Sequence, residues 1–217
     1  MSDDRLLFEL KEPFLYITVN RPHDGNKFLD DMLVLLAAKI NDATAQGGLN
    51  GIVLRGAGHD FSHGREQVIG PEGPPLNAYD ARTRFMSRIL DVYTSFRNFP
   101  SPIISVVQGK ALGFACALVA GSDVAIASEK ATFALPEMLH GTPPTLAISA
   151  HAKVSPKTVA HLIFSAEEID AWHALASGLI SQVVSHEKLD QTVATFLETL
   201  GKFCLLYTSP SPRDDEL

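Results

Sequence analysis

Cysteine, positive charge and long apolar runs are all scarce in this chain. Its two cysteines, Cys116 and Cys204, cannot build a disulfide framework. They fit a reducing compartment, with Cys116 a small core residue. No apolar run approaches the roughly 20 residues needed to span a bilayer, so no membrane association is expected. Lysine and arginine number 18 against 25 acidic residues, a formal net charge of −7. That balance argues against a broad nucleic-acid footprint, while a local basic pocket could still receive phosphates. The opening Met1-Ser2-Asp3-Asp4-Arg5 is polar and partly acidic, unlike a secretory signal or an arginine-rich transit peptide. Together these absences predict a cytoplasmic protein.

Several chemical motifs are missing as well. No Gly-x-Ser-x-Gly elbow supports a serine nucleophile, and neither a P-loop nor a dinucleotide Gly-x-Gly-x-x-Gly is present. His59 and His63 stand at helical metal-ligand spacing. However, Asp60 replaces the glutamate that should follow the first histidine, and the segment follows a Gly56-Ala57-Gly58 turn instead of lying on a helix. Neither a metal nor a permanently bound cofactor is expected.

What is present is an ordinary globular composition, 46% apolar and 20% charged over 217 residues, enough for one domain with a real core. Residues 6–10 and 14–19 read as short strands separated by a Lys11-Glu12-Pro13 turn. From 28 to about 45, apolar residues recur at helical spacing until Gly47-Gly48 stops the helix. Residues 51–55 form a buried strand. After a Pro/Gly loop at 70–75, the stripe Ala78, Phe85, Ile89, Val92, Tyr93 and Phe96 predicts a long helix ending before Pro100. A strand at 102–107, a small-residue helix at 114–120 and a strand at 123–127 follow. The last third is mainly helical, with a strand at 179–184 and an amphipathic helix at 189–200. Strands alternating with helices make residues 1–202 an α/β domain. From Phe203 two Ser-Pro steps and a charged end predict an irregular tail, residues 203–217.

Three segments could carry chemistry. Phe61-Ser62-His63-Gly64-Arg65-Glu66 follows a buried strand, and its glycine lets the next N–H face a cavity. Gly109-Lys110-Ala111-Leu112-Gly113-Phe114-Ala115-Cys116-Ala117 starts a helix whose first N–H groups suit a developing oxyanion. Phe133-Ala134-Leu135-Pro136-Glu137 sets one carboxylate in an apolar run. Each alone is weak, since most strand–Gly–helix turns are only turns and most loop glutamates are only solvated.

In this order, however, and with Asn20-Arg21-Pro22, Asp123, the run 129–137 and Ala176-Ser177-Gly178-Leu179-Ile180, they resemble the crotonase (enoyl-CoA hydratase/isomerase) superfamily. The resemblance covers about residues 5–200. It implies a crotonase-like spiral of β-β-α units with a helical C-terminal region, assembly as a homotrimer or hexamer, and a coenzyme A thioester as substrate. The oxyanion donors would be the backbone N–H groups of Arg65 and Phe114, with Gly113 beside them. Arg65, Glu66, Gln67 and Val68 would line the acyl-CoA channel, and the loop from His23 to Lys27 would lie near the adenine.

Departures from the family pattern bear on the reaction. Family hydratases carry two glutamates, and Ala117 stands where the first belongs, so Glu137 remains alone. Hydration needs one group to activate water and another to protonate carbon. A 1,3-proton shift needs one base that removes a proton and returns it two carbons away. Isomerase is therefore expected before hydratase or dehydratase, decarboxylase, or a scaffold or RNA-binding relative without catalysis. Glu137 should then occupy an apolar site that raises its pKa above about 4.3. His140, three residues on, could supplement it, although an ordinary loop histidine is the simpler reading. The family's Gly-rich turn is replaced by residues 141–148, and Phe114 replaces a glycine, which narrows the acyl pocket. The C-terminal helices read as shortened.

Overall fold

The computed structural model describes residues 4–66, 79, 86–140, 144–150 and 153–207. A six-stranded sheet runs β1 (Leu6–Lys11), β2 (Phe14–Val19), β3 (Gly51–Gly56), β4 (Ile103–Val107), β6 (Val124–Ser128), β9 (Gln182–Val184). Only the β1–β2 pair is antiparallel; the other four pairings are parallel. The central strands are apolar on both faces because both faces are covered. Ile52, Leu54, Ile103 and Val107 pack toward α1 (Asp30–Gln46), α2 (Ser87–Asn98) and α3 (Phe114–Gly121). The alternate residues Val53, Ile104 and Val106 pack with Leu189, Val193 and Leu197 of the closing helix α6 (Leu189–Tyr207).

Helix α1 begins with Asp30 and Asp31 at its positive end and buries Met32, Leu33, Leu36, Ala37, Ile40 and Ala43 as one stripe. Most residues of the stretch expected to begin α2, between 78 and 86, lie outside the described residues. Two short helices follow the second half of the sheet, α4 (Pro156–Ser165) and α5 (Ala171–Ala176). Their caps are side chains: Ser155 accepts from the Thr158 N–H and Asp170 from the His173 N–H.

A second, smaller sheet positions the site. Its strands are β5 (Lys110–Leu112), β7 (Thr132–Ala134) and β8 (Ile169–Asp170). Isolated parallel bridges Phe28–Arg65 and Ser62–Ala111 extend it. Each long strand thus hands the chain to a short segment of the second layer: β2 to Phe28, β3 to Ser62 and Arg65, β4 to β5, β6 to β7. This is the β-β-α spiral, and it brings the segments after β3, β4 and β6 side by side.

Two expectations need correction. The strand expected over 179–184 is only Gln182–Val184, because the Leu179 and Ile180 N–H groups donate to the Ala174 carbonyl in the last turn of α5. The irregular tail does not start at Phe203, since α6 continues to Tyr207. The Glu198–Lys202 ion pair, 2.7 Å at i,i+4, lies in the turn just before that extension, and the first Ser-Pro step comes only at Ser209. Residues 208–217 lie outside the described residues.

Candidate active site

The turn after β3 is built on Gly64, which has φ +94, a conformation closed to most L side chains. The Gly64 carbonyl accepts from the Phe28 N–H at 2.8 Å, and the Glu66 N–H donates to the Phe28 carbonyl at 2.9 Å. That parallel pairing turns the Arg65 N–H to the opposite edge of the segment. There the next turn waits. A Cβ on Gly64 would stand 2.7 Å from the Leu112 carbonyl oxygen and 3.5 Å from the Phe114 nitrogen. The two backbone turns are therefore in contact, as only a glycine permits.

Gly113 (φ +54) is the N-cap of α3, and Phe114 is the first residue of that helix. First-turn N–H groups have no intrahelical acceptor, and no side chain caps this one. The Gly113 N–H itself donates to the Ala134 carbonyl at 2.8 Å, tying the turn to the end of β7. Three residues on, Glu137 opens a short 3-10 turn, Glu137–His140. Its exposure is 8%, and no other acidic residue among the described residues is so deeply buried.

The Glu137 charge is felt by the Tyr93 phenol and the Cys116 thiol. Phe114 is edge-on to Phe28 (5.2 Å, 87°) and stacked with Tyr93 (6.2 Å, 25°). Burial pushes the Tyr93 phenol well above its usual value; a hydrogen bond with Ser149 opposes this and the Glu137 charge adds to it. The Ser149 hydroxyl also donates to the Ala117 carbonyl at 2.7 Å. Cys116 is likewise raised by burial and then by Glu137. Both groups stay protonated at neutral pH. Ala117 is 1% exposed and offers no functional group.

The remaining expected residues are spread along the approach. Glu66 pairs with Arg21 at 3.2 Å, and Arg21 also bonds the Lys27 carbonyl at 2.8 Å and Asp24 at 2.8 Å. His23 and Lys27 are exposed on that loop. The Arg65 side chain reaches toward Asp30, 3.9 Å off, which also pairs with Arg88 at 2.6 Å. Gln67 and Val68 lie outside the described residues, as does the side chain of His140.

Sequence reasoning missed Asp60 as a structural pin. It accepts from the Lys110 N–H (2.9 Å) and holds His63 (2.8 Å) and His59 (3.0 Å). Burial alone would raise its carboxyl, but the Lys110 N–H and the two histidines together hold it below its ordinary value of 3.8. Asn26, fully buried, donates to the Ala57 and Asp60 carbonyls at 2.8 Å each and reinforces the same corner.

A family model described as enoyl-CoA hydratase/isomerase matches residues 9–204. The chain belongs to the enoyl-CoA hydratase/isomerase family. The rat "Enoyl-CoA hydratase domain-containing protein 3, mitochondrial" is 32% identical over 178 residues, 81% of this chain and 58% of its own length. The mouse "Enoyl-CoA delta isomerase 3, peroxisomal" is 26% identical over 86% of this chain and 59% of its own. The chain thus spans less than two thirds of these relatives. A crystal structure of an enoyl-CoA hydratase from Mycobacterium smegmatis superposes with a TM-score of 0.83, at 25% identity, over 92% of this chain and 77% of that one. The fold is crotonase-like. No helix among the described residues is long and apolar enough to cross a membrane.

Proposed function

We propose that the chain binds an acyl-coenzyme A and stabilises its thioester enolate, most specifically as an enoyl-CoA isomerase. The observation that carries this reading is the pairing of two contacting backbone turns with one buried carboxyl. The N–H groups of Arg65 and Phe114 would receive the thioester oxygen. Removing a proton from the adjacent carbon puts negative charge on that oxygen. Each preorganised donor there is worth roughly 3–4 kcal/mol of barrier. Glu137 would take the proton and return it two carbons away, so no net proton is gained or lost. Glu137 is 8% exposed, and in this role one carboxyl serves as both base and acid.

Coenzyme A enters this reading as substrate, its adenine end near the His23–Lys27 loop and its acyl arm along Glu66, Gln67 and Val68. Assembly as a homotrimer or hexamer and action in the cytoplasm belong to the same proposal. One observation favours hydration instead: the Tyr93 hydroxyl, held by Ser149, is a neutral polar group felt by the Glu137 charge. It could orient water where Ala117 offers nothing.

Incubation with 3-enoyl- and 2-enoyl-CoA in heavy water separates these readings. Isomerisation, with deuterium entering the carbon next to the thioester and lost in Glu137→Gln, supports the isomerase. Efficient conversion of the 2-enoyl thioester to a 3-hydroxy product counts against it. Absence of exchange with any acyl-CoA sinks the enolate reading altogether.

A further inference from the structure

We infer that His161 and His173 form a two-histidine site for a late first-row divalent metal ion, of the copper, nickel or zinc class. The pair uses no residue of the proposed acyl-CoA site.

Imidazole is the commonest metal ligand among side chains and suits copper, nickel and zinc. His161 lies on α4 and His173 on α5, and both are exposed. Their rings stand 5.7 Å apart, centroid to centroid, at a tilt of 42°. Chelation demands a particular spacing. A metal about 2.1 Å from a ring nitrogen lies about 3.2 Å from the ring centroid, so two rings on one tetrahedral ion stand about 5.2 Å apart. The observed spacing exceeds this by about 0.5 Å, which a small rotation of two exposed side chains closes.

The backbone beneath the pair is fixed. Leu162, Ala171 and Ala174, chain neighbours of the two histidines, are buried in the main core. The Thr158 hydroxyl donates to the Ser177 carbonyl at 3.0 Å, tying the start of α4 to the end of α5. The His173 N–H donates to the Asp170 carboxylate at 2.7 Å. A metal caught by one imidazole therefore meets the other within the same molecule, which strengthens binding without any new contact. Among the described residues no group of three or more His, Cys, Asp or Glu side chains comes together. Water then completes the coordination, making this an open, exchangeable site instead of a closed structural one. Its ligands come from two separate helices, so no short sequence motif announces it.

Trp172 supplies the readout. It is the chain's single tryptophan, stands next to His173 in sequence and is 58% exposed. Copper(II) chloride is titrated into the full chain while Trp172 fluorescence is followed. Paramagnetic copper at the pair should quench the emission and saturate near one equivalent, and zinc, which is d10, should compete and restore it. His161→Gln and His173→Gln are surface changes that should leave the fold intact, as circular dichroism checks. Each should raise the copper midpoint about 100-fold. The double variant should be little worse than either single one, because a lone imidazole cannot chelate. His59→Gln, at the Asp60 corner, should leave the curve unchanged. Quenching that rises without saturating, or a midpoint that either pair substitution leaves unmoved, overturns the inference and leaves adventitious surface binding only. A shift in His59→Gln as large as in His161→Gln overturns it as well.

Discussion

Replacing Gly64 by alanine tests the heart of the site with a single methyl group. At φ +94 an L residue is strained by about 1–3 kcal/mol. The new Cβ would also stand 2.7 Å from the Leu112 carbonyl oxygen, which is backbone and cannot swing aside. Relieving that contact means shifting β5 or the 62–66 segment, a cost of about 1–3 kcal/mol typical of overpacking. The sum, about 2–6 kcal/mol, is a large share of the 5–15 kcal/mol that holds an ordinary domain together. Gly178→Ala provides the control. Its φ is +77, but a Cβ there meets nothing within 4 Å, so it should cost only about 1–2 kcal/mol of conformational strain. Urea unfolding should therefore rank wild type, Gly178→Ala and Gly64→Ala in that order. The displaced Arg65 N–H should also lower deuterium exchange into acyl-CoA by about 100- to 1,000-fold in Gly64→Ala, measured cold where circular dichroism shows the chain folded. Gly178→Ala should exchange normally. A folded Gly64→Ala that exchanges like wild type would refute the idea that these two turns form the oxyanion site.

Other expectations follow from neighbouring observations. Glu137→Gln keeps the buried shape while removing the base, so it should retain the fold and lose about 100- to 10,000-fold in exchange, read by mass spectrometry of the thioester. Asp60→Asn should destabilise by about 1–3 kcal/mol at neutral pH, since it disturbs an accepted Lys110 N–H and two histidine contacts. Because Asp60 is held below 3.8 in the fold, its contribution is present above that unfolded value. It is lost as pH falls through the lower folded value, so the gap between wild type and Asp60→Asn should shrink below about pH 4 in acid denaturation. Tyr93→Phe removes one hydrogen bond to Ser149 and should cost about 0.5–1.5 kcal/mol in urea unfolding. If isomerisation of a 3-enoyl thioester survives in it, the hydroxyl takes no part in that chemistry; selective loss of hydration would support the alternative reading.

The long elements were legible in the sequence because burial writes a pattern several residues long. The strands at 14–19, 51–56 and 103–107, and the stripe of α1, lie within one or two residues of their expected bounds. The second sheet was not legible. Its strands have two or three residues, too few for any period, and they exist because the first sheet delivers them side by side. Asp60 was weighed only beside His59 and His63 as a metal pattern, whereas its decisive partner, the Lys110 N–H, is 50 residues away in the chain.

The same contrast separates the two halves of the site. The expected donors came from the family resemblance, and the turns that carry them rest on Gly64 and Gly113, glycine being the residue type whose position in a turn reports on backbone geometry. Arg65 and Phe114 carry no such information: their side chains differ from what the turn needs for its chemistry, and the turn is unaffected. Glu137 drew attention by being alone in an apolar run, and the structure buries it to 8% exposure. Tyr93, which feels the Glu137 charge, and its partner Ser149 come from a helix stripe and from a segment after Glu137, and each has an ordinary structural reason to stand where it does. What a backbone does at an active site can be read locally, while what surrounds a reacting side chain is decided by which distant elements the fold brings to it.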